Sequence, residues 1–174
     1  MMLPNLTLVL GGAASGKSAF AEALVLRSDF APVYIATAQV FDDEMAAKVS
    51  RHRAQRNALW TTIEEPLDIA GALAQCASGQ AVLIDCATLW LTNIILGEHD
   101  MATAMTGLLD ALRDSAAPIV IVSNEVGQGT VPDNALSRTF RNAQGTLNQA
   151  IAAEADLVDA VMAGVPLTLQ GTMP

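Results

Sequence analysis

The run Gly11-Gly12-Ala13-Ala14-Ser15-Gly16-Lys17-Ser18 constrains the fold of this chain more than any other stretch. It fits G-x-x-x-x-G-K-[ST], a loop that wraps a phosphate with backbone N–H groups. Such a loop works between a strand and a helix, because the helix aims its positive N-terminus at the same anion. The flanks comply. Leu6–Leu10 is a short apolar run that reads as a buried parallel strand, and helical spacing follows from Lys17 to about Arg27. Lys17 is expected to reach the β- and γ-phosphates of a nucleoside triphosphate, and the Ser18 hydroxyl to bind Mg²⁺. A chance match in a Gly-rich turn would lack this context.

The remaining pattern alternates. Strands are expected at Val33–Ala36, Leu59–Thr62, Ala81–Ile84 and Ile119–Val122. Helices are expected at Asp42–Arg56, Pro66–Cys76, Leu89–Leu96, Met101–Asp114 and Ala135–Ala155. Leu157–Met162 and Pro166–Leu169 flank Ala163-Gly164 and read as a C-terminal hairpin. Alternation of this kind predicts an α/β fold with a mostly parallel sheet flanked by helices. The length, 174 residues with no repeat or linker, suits one domain spanning 1–174.

Composition narrows the partners. Apolar residues make up 52% and charged residues 16%, which excludes a disordered chain. Acids outnumber bases 18 to 9, so a nucleic-acid partner is not expected. Yet Lys48, Arg51, Arg53 and Arg56 sit in one short segment. A local basic patch in an acidic protein suits a small anionic ligand. Cys76 and Cys86 give no disulfide framework, which fits a reducing compartment. The start lacks a signal-peptide pattern and no apolar run approaches about 20 residues, so a cytoplasmic protein without a membrane span is expected.

Two further residues carry chemistry. Asp85 ends the apolar strand Val82-Leu83-Ile84, where a phosphate-loop protein places a carboxylate near Mg²⁺. The same aspartate could simply cap the next helix. Lys48, His52 and Arg56 recur at i, i+4 and i+8, with Arg53 beside them. A histidine among guanidinium groups resists protonation and stays nucleophilic. The plainer reading is a solvated helix end whose bases suit the dipole. Trp60 and Trp90 read as packing residues. Asn124-Glu125, Arg138 and Arg141 stay unassigned.

Taken together, these residues resemble the bifunctional adenosylcobinamide kinase/adenosylcobinamide-phosphate guanylyltransferase family of cobalamin biosynthesis. The resemblance runs from the loop at Gly11–Ser18 through Tyr34-Ile35-Ala36-Thr37-Ala38, Asp43-Glu44-Met45 and His52-Arg53-x-x-Arg56. It continues through Trp60-x-Thr62-x-Glu64-Glu65-Pro66-Leu67, Asp85-Cys86-x-Thr88-Leu89-Trp90-Leu91 and Val122-Ser123-Asn124-Glu125-Val126-Gly127. Pro132, Arg138, Phe140-Arg141, Gly145, Leu147-Asn148-Gln149 and Ala155-Asp156 follow in order. Two positions depart. Ala14 stands where the family typically has Arg, a change expected to weaken a phosphate contact, and Gln170-Gly171 replaces a frequent Lys-Gly.

The resemblance implies a RecA-like P-loop NTPase domain, Mg²⁺, and ATP and GTP as substrates. It implies phosphorylation of adenosylcobinamide, then transfer of GMP from GTP onto adenosylcobinamide phosphate. By position, His52 matches the histidine that carries GMP. Nucleotide contacts would fall on Gly11, Gly12, Ala13, Ala14, Ser15, Gly16, Lys17, Ser18, Ala36, Thr37, Ala38, Arg53, Ala54, Gln55, Arg56, Glu64 and Asp85. The family also implies a homotrimer. Two rivals differ in chemistry: a plain kinase for another small alcohol, and a nucleotide sensor without turnover.

Overall fold

The computed structural model describes residues 1–39 and 59–174. The helix expected over Asp42–Arg56, with His52, Arg53, Ala54, Gln55 and Arg56, lies outside the described residues. The described chain runs β1 (Leu6–Gly11), α1 (Lys17–Leu26), β2 (Ala31–Ala36), β3 (Thr61–Glu64), α2 (Ile69–Leu73) and β4 (Gln80–Asp85). It continues with α3 (Ala87–Leu96), α4 (Met101–Asp114), β5 (Ile119–Asn124), α5 (Ala135–Glu154), β6 (Leu157–Met162) and β7 (Val165–Gln170).

The seven strands form one sheet in the order β3-β2-β4-β5-β1-β6-β7. All neighbours are parallel except β6 and β7. This is the expected α/β architecture with its C-terminal hairpin. The turn between β6 and β7 is two residues long, with Ala163 at φ 52° and Gly164 at φ 77°. Positive φ at both central residues matches the twist of the flanking strands.

Strand alternation divides the core into two layers. Leu6, Leu8, Ile84, Ile119 and Ile121 face α2, α3, α4 and α5. Val9, Leu83, Val120 and Val122 face Ala21, Leu24 and Val25 of α1. Burial on both faces explains why the central strands are continuous apolar runs. At the far edge, Val165, Leu167 and Leu169 of β7 are each more than half exposed. No helix among the described residues is long and apolar enough to cross a membrane.

Of the boundaries that move, three have a clear physical cause. The strand expected at Leu59–Thr62 is Thr61–Glu64. Leu59 is exposed, while Trp60 packs edge-on against the Tyr34 ring, centroids 5.7 Å apart. The helix expected from Pro66 begins at Ile69, because Glu65 accepts the Leu67 and Asp68 N–H groups and Asp68 caps Gly71 N. Pro32 lies inside β2 rather than before it. Its pairing with β3 starts only at Val33, so β2 has one neighbour there and the missing N–H is tolerated.

Candidate nucleotide site

The parallel strands deliver most of the expected site to one edge of the sheet. Gly11, Ala36, Glu64 and Asp85 are the last residues of β1, β2, β3 and β4. Open α/β sheets bind ligands at this carboxyl edge. Ala36 is in register with both Glu64 and Asp85, and Gly11 with Asn124. Glu64, however, is not brought to the phosphate loop, since β2, β4 and β5 stand between β3 and β1. At strand spacings of about 4.8 Å the two ends of the site are roughly 19 Å apart.

The loop is open to solvent at Gly12, Ala13 and Ala14, whereas Lys17 is buried. The Lys17 ammonium donates to the Gly12 carbonyl at 3.0 Å, so it curls back across the loop. Ala14 has φ 55° and Gly16 φ 93°. Successive turns of this kind aim N–H groups into one concavity. Close packing requires both flanking glycines. A Cβ on Gly11 would lie 2.4 Å from Ser15 Oγ and 2.7 Å from the Val161 carbonyl. One on Gly16 would meet Gly164 Cα at 3.0 Å. The hairpin turn also braces the loop directly, because Gly164 N donates to Ser15 O at 2.8 Å. Nothing local in the motif announces that brace. It comes from a turn about 150 residues downstream.

Asp85 is held by the Tyr34 hydroxyl, which donates to its carboxylate at 2.8 Å. The Asp85–Cys86 peptide is cis. Thr37 clasps the strand end: its hydroxyl donates to Cys86 O and accepts from Cys86 N, both at 2.8 Å. Asn93 on α3 donates to the Thr37 and Pro66 carbonyls. Thr37 and Asn93 are therefore buried for positioning, which fixes Ala36–Ala38 against Asp85.

Burial pushes the Cys86 thiol up to about 11, the Asp85 carboxylate adds to the rise, and the nearby Lys17 charge opposes it. Cys86 is consequently a neutral thiol at pH 8 and an unreactive one. Iodoacetamide should label half-buried Cys76 before Cys86 in the folded protein, and both after unfolding. Peptide mass spectrometry reads the order; faster labelling of Cys86 in the native state would contradict its burial.

Trp90 is the packing residue expected of it, and Arg138, Arg141 and Glu125, left unassigned from the sequence, are supports. Trp90 is buried and its indole N–H donates to Leu67 O at 2.8 Å. Arg138 donates to the Pro132 and Asp133 carbonyls, and Arg141 to Thr130 O. Both arginines thus shape the loop before α5. Glu125 accepts the Gly127 N–H, and its own N–H donates to Gly11 O at 3.0 Å. A cleft of about 170 Å³ lined by Leu67, Asp68, Trp90 and Thr103 lies among α2, α3 and α4, and no residue of the phosphate loop lines it.

Among the described residues no three His, Cys, Asp or Glu side chains form a metal cage. A magnesium ion bound with a nucleotide needs only one or two protein oxygens besides phosphates. Ser18, in the first turn of α1, and Asp85 are of the right chemistry for that.

Comparison with known proteins gives the family and the fold. Residues 7–169 match the family model described as cobinamide kinase / cobinamide phosphate guanyltransferase. The chain is 44% identical over 167 residues to the bifunctional adenosylcobalamin biosynthesis protein CobP of Pseudomonas aeruginosa, covering 94% of this chain and 96% of that one. It is 41% identical to the bifunctional adenosylcobalamin biosynthesis protein CobU of Salmonella typhimurium, covering 94% and 98%. A solved protein of Pyrococcus horikoshii shares the fold at a TM-score of 0.53 and 7% identity, covering 99% of this chain and 89% of the other.

Proposed function

The chain belongs to the cobinamide kinase / cobinamide phosphate guanyltransferase family, and we propose that the carboxyl edge of its sheet is where both reactions run. The enzyme phosphorylates adenosylcobinamide from a nucleoside triphosphate and transfers GMP from GTP to the product, giving adenosylcobinamide-GDP. One observation carries the assignment to this edge. The open phosphate loop, the buried Lys17 ammonium and the Asp85 carboxylate converge there.

Each group then has a task. Loop N–H groups from Gly11 to Ser18 and the N-terminus of α1 hold the phosphates of ATP or GTP. Lys17 offsets the charge that spreads over the transferred phosphoryl group. Ser18 and Asp85 hold Mg²⁺. When bound, the ion neutralises phosphate charge and aligns the transferring group. Ala36, Thr37, Ala38 and Glu64 are left to the nucleoside, since their strands stand three and four positions from β1.

Guanylyl transfer proceeds through His52. Its imidazole nitrogen attacks the α-phosphorus of GTP, the bond to the bridging oxygen breaks, and pyrophosphate leaves. An oxygen of adenosylcobinamide phosphate next attacks the same phosphorus, and the P–N bond breaks to restore the imidazole. Two easier steps replace one hard one. Arg53, Ala54, Gln55 and Arg56 supply contacts to the same nucleotide. The remaining readings are one domain over 1–174, a cytoplasmic location and a homotrimer. The exposed apolar side chains of β7 support the last of these, as surface that a neighbouring subunit would cover.

The test is to incubate the protein with Mg²⁺ and GTP labelled at the α-phosphate and measure covalent label after denaturation. Acid-labile, alkali-stable label is expected. Bound GTP without label would favour a plain kinase or a nucleotide sensor.

A further inference from the structure

We propose that Asn124 contacts the γ-phosphate of a triphosphate seated on Gly11–Ser18. The proposal rests on the nucleotide reading above and adds to it a residue at the end of β5. Asn124 is in register with Gly11, the first residue of the loop. β5 lies between β1, which carries the loop, and β4, which carries Asp85. Side chains two residues apart on a strand share a face. Val122 and Leu83 face α1, so Asn124 and Asp85 do too, on the side where α1 presents Lys17.

The main chain at this position cannot easily shift. Asn124 N donates to Thr88 Oγ1 at 2.8 Å, and Asn124 O accepts from Asn148 Nδ2 at 3.0 Å. Asn148 is braced in turn by Ser123 Oγ at 2.6 Å and Gln144 Nε2 at 2.9 Å. Four polar side chains from α3, β5 and α5 therefore serve to hold one backbone unit.

The Asn124 side chain itself is left over. Its Oδ1 is buried and has no hydrogen-bond partner among the described residues. Buried polar atoms are almost always paired, and an exception asks for a ligand or a function. A carboxamide carries both a donor and an acceptor at nearly the same place, exchanged by half a turn about its last bond. Turned so, its N–H₂ donates to a γ-phosphate oxygen. Between a cationic lysine and a carboxylate, a neutral donor suits a phosphate that a second carboxylate would repel.

Calorimetric titration of the full chain with GTP carrying a methylene α–β bridge, which cannot transfer GMP, and with GDP, both with Mg²⁺, tests this. Asn124→Ala should weaken GTP by about tenfold, the size of one hydrogen bond to a charged group, and leave GDP within about twofold. Asn124→Asp, nearly isosteric, should weaken GTP further. Asn124→Ser provides the same comparison should the alanine variant melt early. An equal loss for both nucleotides, or no loss for either, overturns the proposal. Failure of the unaltered chain to bind GTP would instead overturn the nucleotide reading, and this proposal with it.

Discussion

Lys17→Ala is expected to abolish corrinoid phosphorylation and guanylyl transfer together, each by about a hundredfold to a thousandfold. That is the scale for removing one preorganised charge stabiliser from a site shielded from water. The shielding is visible: Lys17 is 9% exposed although it carries a charge, and its ammonium is fastened to Gly12 O. Ammonium groups stay buried only when paired, so Lys17 holds both the loop's shape and the charge that meets the phosphates. Alanine removes both at once. The loop keeps its other braces, Gly164 N to Ser15 O and Glu125 N to Gly11 O, so thermal stability should change little. Assays of both half-reactions with a melting curve decide the matter. Loss of phosphorylation with full guanylylation would show two separate nucleotide sites. Joint loss with an unchanged melt supports one shared loop.

The parts legible in the sequence are those where a few adjacent residues carry the whole physical constraint. The strand–loop–helix at Leu6–Leu26 is one, because only a small-residue loop after an apolar strand can present so many N–H groups. The turn at Ala163-Gly164 is another, because two apolar runs separated by two residues leave a hairpin little choice. The edge was harder to read. Leu59 and Trp60 are apolar and pulled the expected strand two residues early, but an outer strand can be built from Thr61-Thr62-Ile63-Glu64 with Trp60 packing beside it. Proline at 66 likewise suggested a helix start that carboxylate caps at Glu65 and Asp68 postpone.

The supports of the site were the least legible. Thr37 meets Cys86 across 49 positions and Asn93 across 56, and Asn148 meets Asn124 across 24. No local pattern encodes such pairs. Their one outward sign is polarity inside apolar surroundings: Asn93 beside Ile94 on the buried side of α3, and Gln144 and Asn148 beside Ala143, Leu147 and Ile151 on α5. A buried amide at helical spacing is a usable signal, since it must find a partner to stay there. Asp85 shows the converse. Its place at a strand end left a cap and a metal role both open, and the Tyr34 hydroxyl on its carboxylate orients it toward the α1 face.

His52→Ala should reduce α-phosphate label to background and slow guanylyl transfer by a thousandfold or more, the scale for loss of an essential nucleophile. Phosphorylation of adenosylcobinamide should survive, because γ-phosphoryl transfer passes directly to a hydroxyl and needs no protein nucleophile. The asymmetry separates His52 from Lys17, whose loss is expected to strike both reactions. The surrounding charges support the role: Lys48 and Arg56 stand four residues either side of His52, and Arg51 and Arg53 adjoin it in sequence. In the proposed mechanism these cations attract the triphosphate and offset charge on the departing pyrophosphate. Full transferase activity in His52→Ala would remove His52 from the mechanism. Equal loss of the kinase would place His52 in the shared nucleotide site rather than in the covalent step alone.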